Sequence, residues 1–258
     1  DGSSLRTDTV VFNGDPRALA TGALGPATQR IAPQSRRLPR SLSAEVWAFA
    51  ARASGPALTH HNVFFRDDPR PEFDALHMGR FDPDPTLYVC AMDRGPGPAP
   101  TGPERFEIIA NAPDLTRAPS RPATEEYDRC QSRTFPTLAR FGLSFDRIPG
   151  PEALTTPSGF ETLFPASARA LYGQSPHGLM AAFRRPTART AIKGLYLAGG
   201  GTHPGAGVPM ATLSGRHAAE AILQDRTSTS RSPRTAMPGG TSTGSATAAG
   251  KRSASSPS

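Results

Sequence analysis

Between Gly199 and Gly207 the chain places five glycines, at 199, 200, 201, 205 and 207, directly ahead of the run Val208 to Leu223. Glycine lets a backbone approach a ligand with no Cβ in the way, and the run that follows reads as a helix whose first amides and positive dipole end face the same spot. Such a place suits an anion or a polarised carbonyl. The plainer alternative is that a glycine-rich crossover only lets a helix pack tightly on a sheet. His203 lies inside the loop and is the weak candidate for proton transfer, since an imidazole exchanges protons near neutrality; a loop histidine that ties backbone together is the competing reading. The isolated His77, His177 and His217 have no mutual metal-ligand spacing, and Cys90 and Cys130 stand far apart without a C-x-x-C step, so no metal site is expected.

The elements that must position the loop are legible around it. Leu195-Tyr196-Leu197-Ala198 is a short apolar strand entering the glycines, and the helix behind them carries Pro209 near its first turn and Ala211, Ala218, Ala219 and Ala221 as small packing residues. Thr9-Val10-Val11-Phe12 reads as a second buried strand, closed by Asn13-Gly14. Asp15 is then the N-cap and Pro16 the first position of a helix stopped by Gly22 or Gly25. Residues 26–40, with four arginines, read as a solvated basic loop.

Four strand candidates follow, Ala44–Ala50, Leu58–Phe65, Thr86–Met92 and Phe106–Ala110, separated by Pro-, Gly- and Asp-rich connections that punctuate an antiparallel sheet. Residues 123–141 predict an amphipathic helix kinked at Pro136, and Ser158 predicts the cap of a short helix running through Glu161 to Phe164. Beyond Asp225 the chain is Ser, Thr, Gly, Ala and Pro without an aromatic residue, so 226–258 is expected to be a disordered basic tail.

Composition narrows the function classes. The 258 residues are 36% hydrophobic, 7% aromatic and 20% charged, with a formal charge of +7. Five of the 29 basic groups lie in 226–258 with no acid beside them, which leaves 24 basic against 22 acidic groups in the rest. A basic nucleic-acid-binding face is therefore not expected. No apolar run approaches the ~20 residues that span a bilayer, and the first residues are no signal peptide. Two cysteines fit a reducing cytoplasm.

Thr190-Ala191-Ile192-Lys193-Gly194-Leu195-Tyr196-Leu197-Ala198-Gly199 resembles the second flavin-contacting segment of flavoproteins with two dinucleotide-binding-type domains, except that Gly200 stands where many of them carry an Asp. The continuation through Gly200-Gly201-Thr202-His203-Pro204-Gly205-Ala206-Gly207-Val208-Pro209 resembles the C-terminal signature of the bacterial phytoene-desaturase-type carotenoid desaturases. Ala170-Leu171-Tyr172-Gly173, His177-Gly178 and Phe183-Arg184-Arg185-Pro186 stand in that family's order upstream, and Val10 to Pro16 resembles its strand returning to the flavin domain. The resemblance covers about residues 8–223. Within the family, Trp47-Ala48-Phe49, His60 to Phe65 and Val89 to Asp93 look most like the branch acting on hydroxylated acyclic carotenoids, the 1-hydroxycarotenoid 3,4-desaturases or methoxyneurosporene dehydrogenases.

The resemblance implies a mixed α/β (α+β) fold, the C-terminal part of a two-domain FAD-dependent flavoprotein. Residues 1–40 and 181–225 are then Rossmann-like pieces of the FAD domain, 41–180 the antiparallel-sheet substrate domain, and 226–258 the tail. It implies FAD as cofactor, held by Gly199, Gly200, Gly201, Thr202, Gly207, Val208, Pro209 and Met210, with the helix start facing the N1–C2=O edge of the flavin. Arg184 and Arg185 face either a flavin phosphate or solvent. Trp47, Phe49, Phe64 and Phe65 line a polyene tunnel or are ordinary core, and at most one of His60 and His61 points inward to meet a substrate hydroxyl. The implied partners are a hydroxylated acyclic carotenoid and the inner face of a bacterial membrane, touched peripherally with help from the basic tail.

The family's G-x-G-x-x-G turn for the ADP half of FAD is not found, and the chain enters Val10-Val11-Phe12 almost at once without an initial Met. A fragment lacking the N-terminal half is therefore expected. The alternatives are an inactive remnant or carotenoid-binding fragment without flavin, and an amine-oxidase-like flavoenzyme.

Overall fold

A computed structural model gives the structure of residues 2–98, 100–114, 122–178 and 180–230. Strand β1 (Val10–Phe12) turns at Asn13-Gly14 into helix α1 (Pro16–Ala20), capped by Asp15, whose Oδ1 accepts from the Arg17 amide at 2.9 Å. Residues 26–40 keep Arg30, Arg36 and Arg37 exposed, as expected from their charge, but depart from a plain solvated loop. They form two short 3-10 turns, Pro26–Arg30 and Pro33–Arg36, and they end in a buried Arg40 that pairs with Asp15 and donates to the Ser167 carbonyl at 2.7 Å.

The chain then runs through β2 (Ser43–Ala51), β3 (Ala53–Ser54), β4 (His61–Phe64), α2 (Arg70–His77), β5 (Leu87–Ala91) and β6 (Glu104–Ala112). Helix α3 (Ala123–Arg140), β7 (Ser144–Phe145), β8 (Leu154–Thr155) and α4 (Pro157–Leu163) follow. Strands β4, β5, β6, β2 and β8 form one antiparallel sheet in that order, and β3 pairs separately with β7. All four expected strands are present. The candidate at Leu58–Phe65 pairs only over His61–Phe64.

Alternation decides which face of the sheet is covered. Trp47, Leu87, Val89, Phe106, Ile108 and Ala110 point to one side, where Cys130, Phe135 and Leu138 of α3 close the core. Trp47 meets Phe135 and Tyr127 edge-on, at 5.2 and 5.7 Å between ring centroids, and its indole N–H donates to Thr134 Oγ1 at 3.4 Å. Pro136 lies inside α3. Glu45, fully buried on this face of β2, receives Arg129 at 2.7 Å and Arg133 at 2.6 Å, which pins α3 to the sheet. The short helix α4 is capped by Thr156, whose Oγ1 accepts from Gly159 N at 3.3 Å, and not by Ser158, whose hydroxyl donates to Glu126 at 2.8 Å. With Pro157 supplying the first helical φ, the cap falls one residue ahead of it.

Strand β9 (Leu195–Leu197) returns parallel to β1, Val10 opposite Leu195 and Phe12 opposite Leu197, and leads through the glycine loop into α5 (Val208–Ser230). Tyr196 and Ala198 face Ala218 and Ala221 of α5, while Leu197 packs with Leu19 of α1, so helices cover both faces of this pair. β1 is not buried as its composition suggests. Val10 and Val11 are 46% and 48% exposed, whereas Tyr196 and Leu197 of the paired strand β9 are buried against the helices. Helix α5 continues to Ser230, so the first five residues of the expected tail are helical; 231–258 lie outside the described residues. No helix among the described residues is long and apolar enough to cross a membrane.

Replacing Glu45 with Ala leaves two arginines facing a carboxylate that is gone. A loss of about 3–5 kcal/mol is expected in urea unfolding monitored at Trp47, and a loss under about 1 kcal/mol would contradict the anchoring role.

Candidate functional site

The β1–α1 turn and the β9–α5 loop meet at the carboxyl ends of two parallel strands, the place where open α/β sheets bind ligands. The Ala198 amide donates to the Phe12 carbonyl at 3.1 Å, which holds the two turns together. Between them and the 160–173 segment lies a cleft of about 240 Å³, lined by Asp15, Phe164, Tyr172, Gly200, Gly201 and Gly207 among others. It is smaller than the ~300–1,000 Å³ of pockets that enclose a whole ligand, and it suits one flat ring system rather than a dinucleotide.

The glycines divide into two groups. A Cβ on Gly199 would lie 2.1 Å from Asn13 Oδ1, and one on Gly201 would lie 2.5 Å from Pro16 Cδ, so these two are small because the neighbouring turn presses on them. Gly200 has only ordinary contacts. Gly207, at φ +100°, has nothing within 4 Å, and both line the cleft. The packing reading of the loop thus holds at 199 and 201, and the open-backbone reading at 200 and 207.

Ser214 of α5, which the sequence reading passed over, ties the loop to the helix. Its hydroxyl accepts from Gly199 N at 2.7 Å and lies 2.7 Å from the Ala211 carbonyl. Thr202 is fully buried, and its Oγ1 has no hydrogen-bond partner among the described residues. Val208, Pro209 and Met210 are exposed at the start of α5. Ala211 N bonds back to the Gly207 carbonyl, which leaves the first-turn amides of Val208 and Met210 without an intrahelical acceptor.

Beneath the loop, Arg185 and Arg184 part company. Arg184 is exposed. Arg185 is buried and turned away from solvent: it donates to the carbonyls of Gly200 at 2.8 Å, Tyr172 at 3.1 Å and Gln174 at 2.7 Å. Burial lowers its pKa from the ordinary guanidinium value; the nearby Arg40 adds to that and Asp15 opposes it. One carboxylate against two guanidiniums leaves this cluster, buried behind the lining of the cleft, with a net positive charge.

His203 does not join this site. Its Nδ1 is 3.1 Å from the Ala182 carbonyl, its ring stacks on Phe183, and it lines a separate cavity with His217 and Glu220. The competing reading of a backbone-tying histidine fits it, because the 203–204 segment turns back over 182–186. Trp47 is core and Phe49 packs against that core; Phe64 packs on Phe141, and Phe65 is 61% exposed. Both His60 and His61 are exposed, so neither points into the core. They gather with Cys90 into a cluster that no spacing in the sequence announces.

The flavin containing amine oxidoreductase family matches residues 1–223. The chain belongs to that family. It is 60% identical over 232 residues to a hydroxyneurosporene desaturase of Cereibacter sphaeroides, covering 90% of this chain and 46% of that protein. It is 52% identical over 231 residues to a hydroxyneurosporene desaturase of Rhodobacter capsulatus, covering 89% and 46%. A third, from Rubrivivax gelatinosus, is 46% identical over 252 residues, covering 96% and 48%. The chain spans about half the length of the curated relatives it matches.

The residues present fit a flavin. The backbone is open at Gly200 and Gly207, where the bulk of a side chain would fill the cleft, the Thr202 hydroxyl lacks a partner among the described residues, and unpaired amides start α5 just after Gly207. If Arg185 is the tie that holds this arrangement, Arg185→Met strands three carbonyls and lowers stability by about 3 kcal/mol or more, whereas Arg184→Met stays within about 0.5 kcal/mol. Thermal unfolding of the two variants checks this, and equal midpoints would contradict it.

Proposed function

We propose that the chain supplies the flavin-ring site and the substrate-facing sheet of an FAD-dependent carotenoid desaturase that introduces a C=C bond into a hydroxylated acyclic carotenoid. The observation that carries the reading is the cleft whose wall is bare backbone at Gly200 and Gly207, backed by the buried Arg185 that donates to the Gly200 carbonyl. The similarity to hydroxyneurosporene desaturases supports the substrate class. In this reading residues 1–40 and 181–225 belong to the flavin unit and 41–180 to the substrate unit.

A bound flavin supplies a hydride acceptor for desaturation, and the neighbouring carbon gives up a proton. The chain's own contribution is electrostatic and steric. The first-turn amides of α5 and the positive cluster buried behind the cleft stabilise negative charge at the ring edge, more so with water excluded. Phe160, Phe164, Leu171 and Tyr172 form the apolar side of the cleft, against which a polyene end can lie. Asp15 and Tyr172 are the titratable groups lining it, and Asp15 is committed to Arg40. Peripheral membrane contact is part of the reading: Leu163, Phe164, Tyr172 and Phe183 are each more than half exposed around the same region, as a lipid-dissolved substrate requires.

The test replaces the matching segment of the Cereibacter sphaeroides relative with this chain. Bound FAD, seen by its visible absorbance, and desaturation of a hydroxylated carotenoid are expected; a colourless protein supports the remnant reading instead. In the same chimera Met210→Glu sets a carboxylate at the start of α5 and is expected to slow flavin reduction about tenfold or more. An unchanged stopped-flow rate would overturn the placement.

A further inference from the structure

The edge of the antiparallel sheet holds a second constellation that the desaturation reading does not use. His61 of β4 stands directly across from Cys90 of β5, and directly opposed residues of an antiparallel pair send their side chains to the same face. This is the face away from α3. His60 joins them from just before β4: its carbonyl accepts from Ala91 N at 2.9 Å, and its ring lies edge-on to that of His61 with centroids 4.4 Å apart. One ligand atom from each of His60, His61 and Cys90 falls within 4.8 Å of the others.

The spacing is close enough for one ion to reach an atom of each side chain. His60 Nδ1 is 2.9 Å from the Arg94 carbonyl, which can only accept, so Nδ1 carries the proton and Nε2 presents its lone pair. Nε2 in turn lies 3.6 Å from Cys90 Sγ. A tetrahedral zinc bound at about 2.05 Å to nitrogen and 2.3 Å to sulfur sets that N···S edge at about 3.6 Å. The Arg94 carbonyl is itself fixed, because the Arg94 side chain is clamped on Glu104 at 2.6 and 2.8 Å, which also neutralises its charge. Tyr88 holds His61 through a 2.7 Å contact between its hydroxyl and Nδ1. Such bonds from a histidine's other nitrogen are what orient metal-ligating rings. Glu107 stands across from Cys90 on β6 and adds negative charge beside the site.

We propose that His60, His61 and Cys90 bind a borderline-soft divalent cation of the zinc class, with a fourth coordination position open to solvent. Two imidazoles and a thiolate select zinc or cobalt over the hard magnesium and calcium, which want oxygen ligands. The two histidines are exposed, so the ion has an entry path. Its binding staples the edge strand β4 to β5 and displaces the thiol proton of Cys90. The absence of metal-ligand spacing in the sequence is no obstacle, since Cys90 reaches the histidines through strand register.

Titration of the metal-free 258-residue chain with Co²⁺ tests this. A thiolate-to-cobalt charge-transfer band and tetrahedral d–d bands are expected to saturate at one equivalent and to vanish on addition of Zn²⁺ but not Mg²⁺. Cys90→Ser removes the charge-transfer band. His60→Ala and His61→Ala, both at exposed positions, weaken Zn²⁺ binding at least tenfold, Tyr88→Phe weakens it about tenfold, and His77→Ala changes nothing. No charge-transfer band in the wild-type chain, a band that survives Cys90→Ser, or Zn²⁺ affinity unchanged in the double His60→Ala, His61→Ala variant would overturn the site.

Discussion

A guanidinium removed from water is costly unless its donors are met, and Arg185 meets them with carbonyls from separate stretches of chain: Tyr172 and Gln174 on one side, Gly200 on the other. Everything at the cleft depends on that tie. It fixes the glycine loop relative to the 172–174 segment, which is bonded to the entry of the large sheet through Ser41 N to the Gly173 carbonyl and Tyr172 N to Ser41 Oγ. The Asp15–Arg40 pair does the same for the β1–α1 turn, since Arg40 also reaches the Ser167 carbonyl. The parallel-strand unit and the antiparallel sheet are thereby held in register around one cleft, and the charges that hold them also set its potential.

The wall opposite is under tension that the same logic explains. Ala166, Ala168 and Arg169 all take positive φ, a region non-glycine residues enter at some cost. The Glu161 carboxylate compensates by accepting from Ala166 N at 3.0 Å, Ser167 Oγ at 3.0 Å and Arg169 N at 2.8 Å. Short helix α4 therefore acts as an anchor for the strained turn that presents Ser167 and Ala170 to the cleft.

Local signals were enough for much of this fold. Asp15-Pro16 announced a cap and a first helical residue, β2, β5 and β6 announced themselves by β-branched and aromatic runs between Pro- and Gly-rich turns, and the strand–glycine–helix order from Leu195 onward marked the cleft. What escaped was decided by contacts between distant segments. Composition makes β1 look buried, yet α1 and α5 pack on Tyr196, Leu197 and Ala198 and leave Val10 and Val11 exposed. Arg40 looks like part of a solvated loop until Asp15 appears beside it. At Gly199 and Gly201 it is Asn13 and Pro16 that leave no room for a side chain, although Gly201 also lines the cleft. His203 sits in the right loop with its ring on the wrong side of it. His60, His61 and Cys90 are joined by the pairing of two strands, which no window along the chain can contain.

The central claim is that the backbone from Gly200 to Met210 cradles the carbonyl edge of a flavin ring above Arg185. The most direct measurement is a crystal structure of the FAD-loaded chimera. The account predicts a ring carbonyl within hydrogen-bond distance of the Val208 or Met210 amide, with Gly207 against the ring. A ring seated elsewhere, with these amides still open to water, would contradict it.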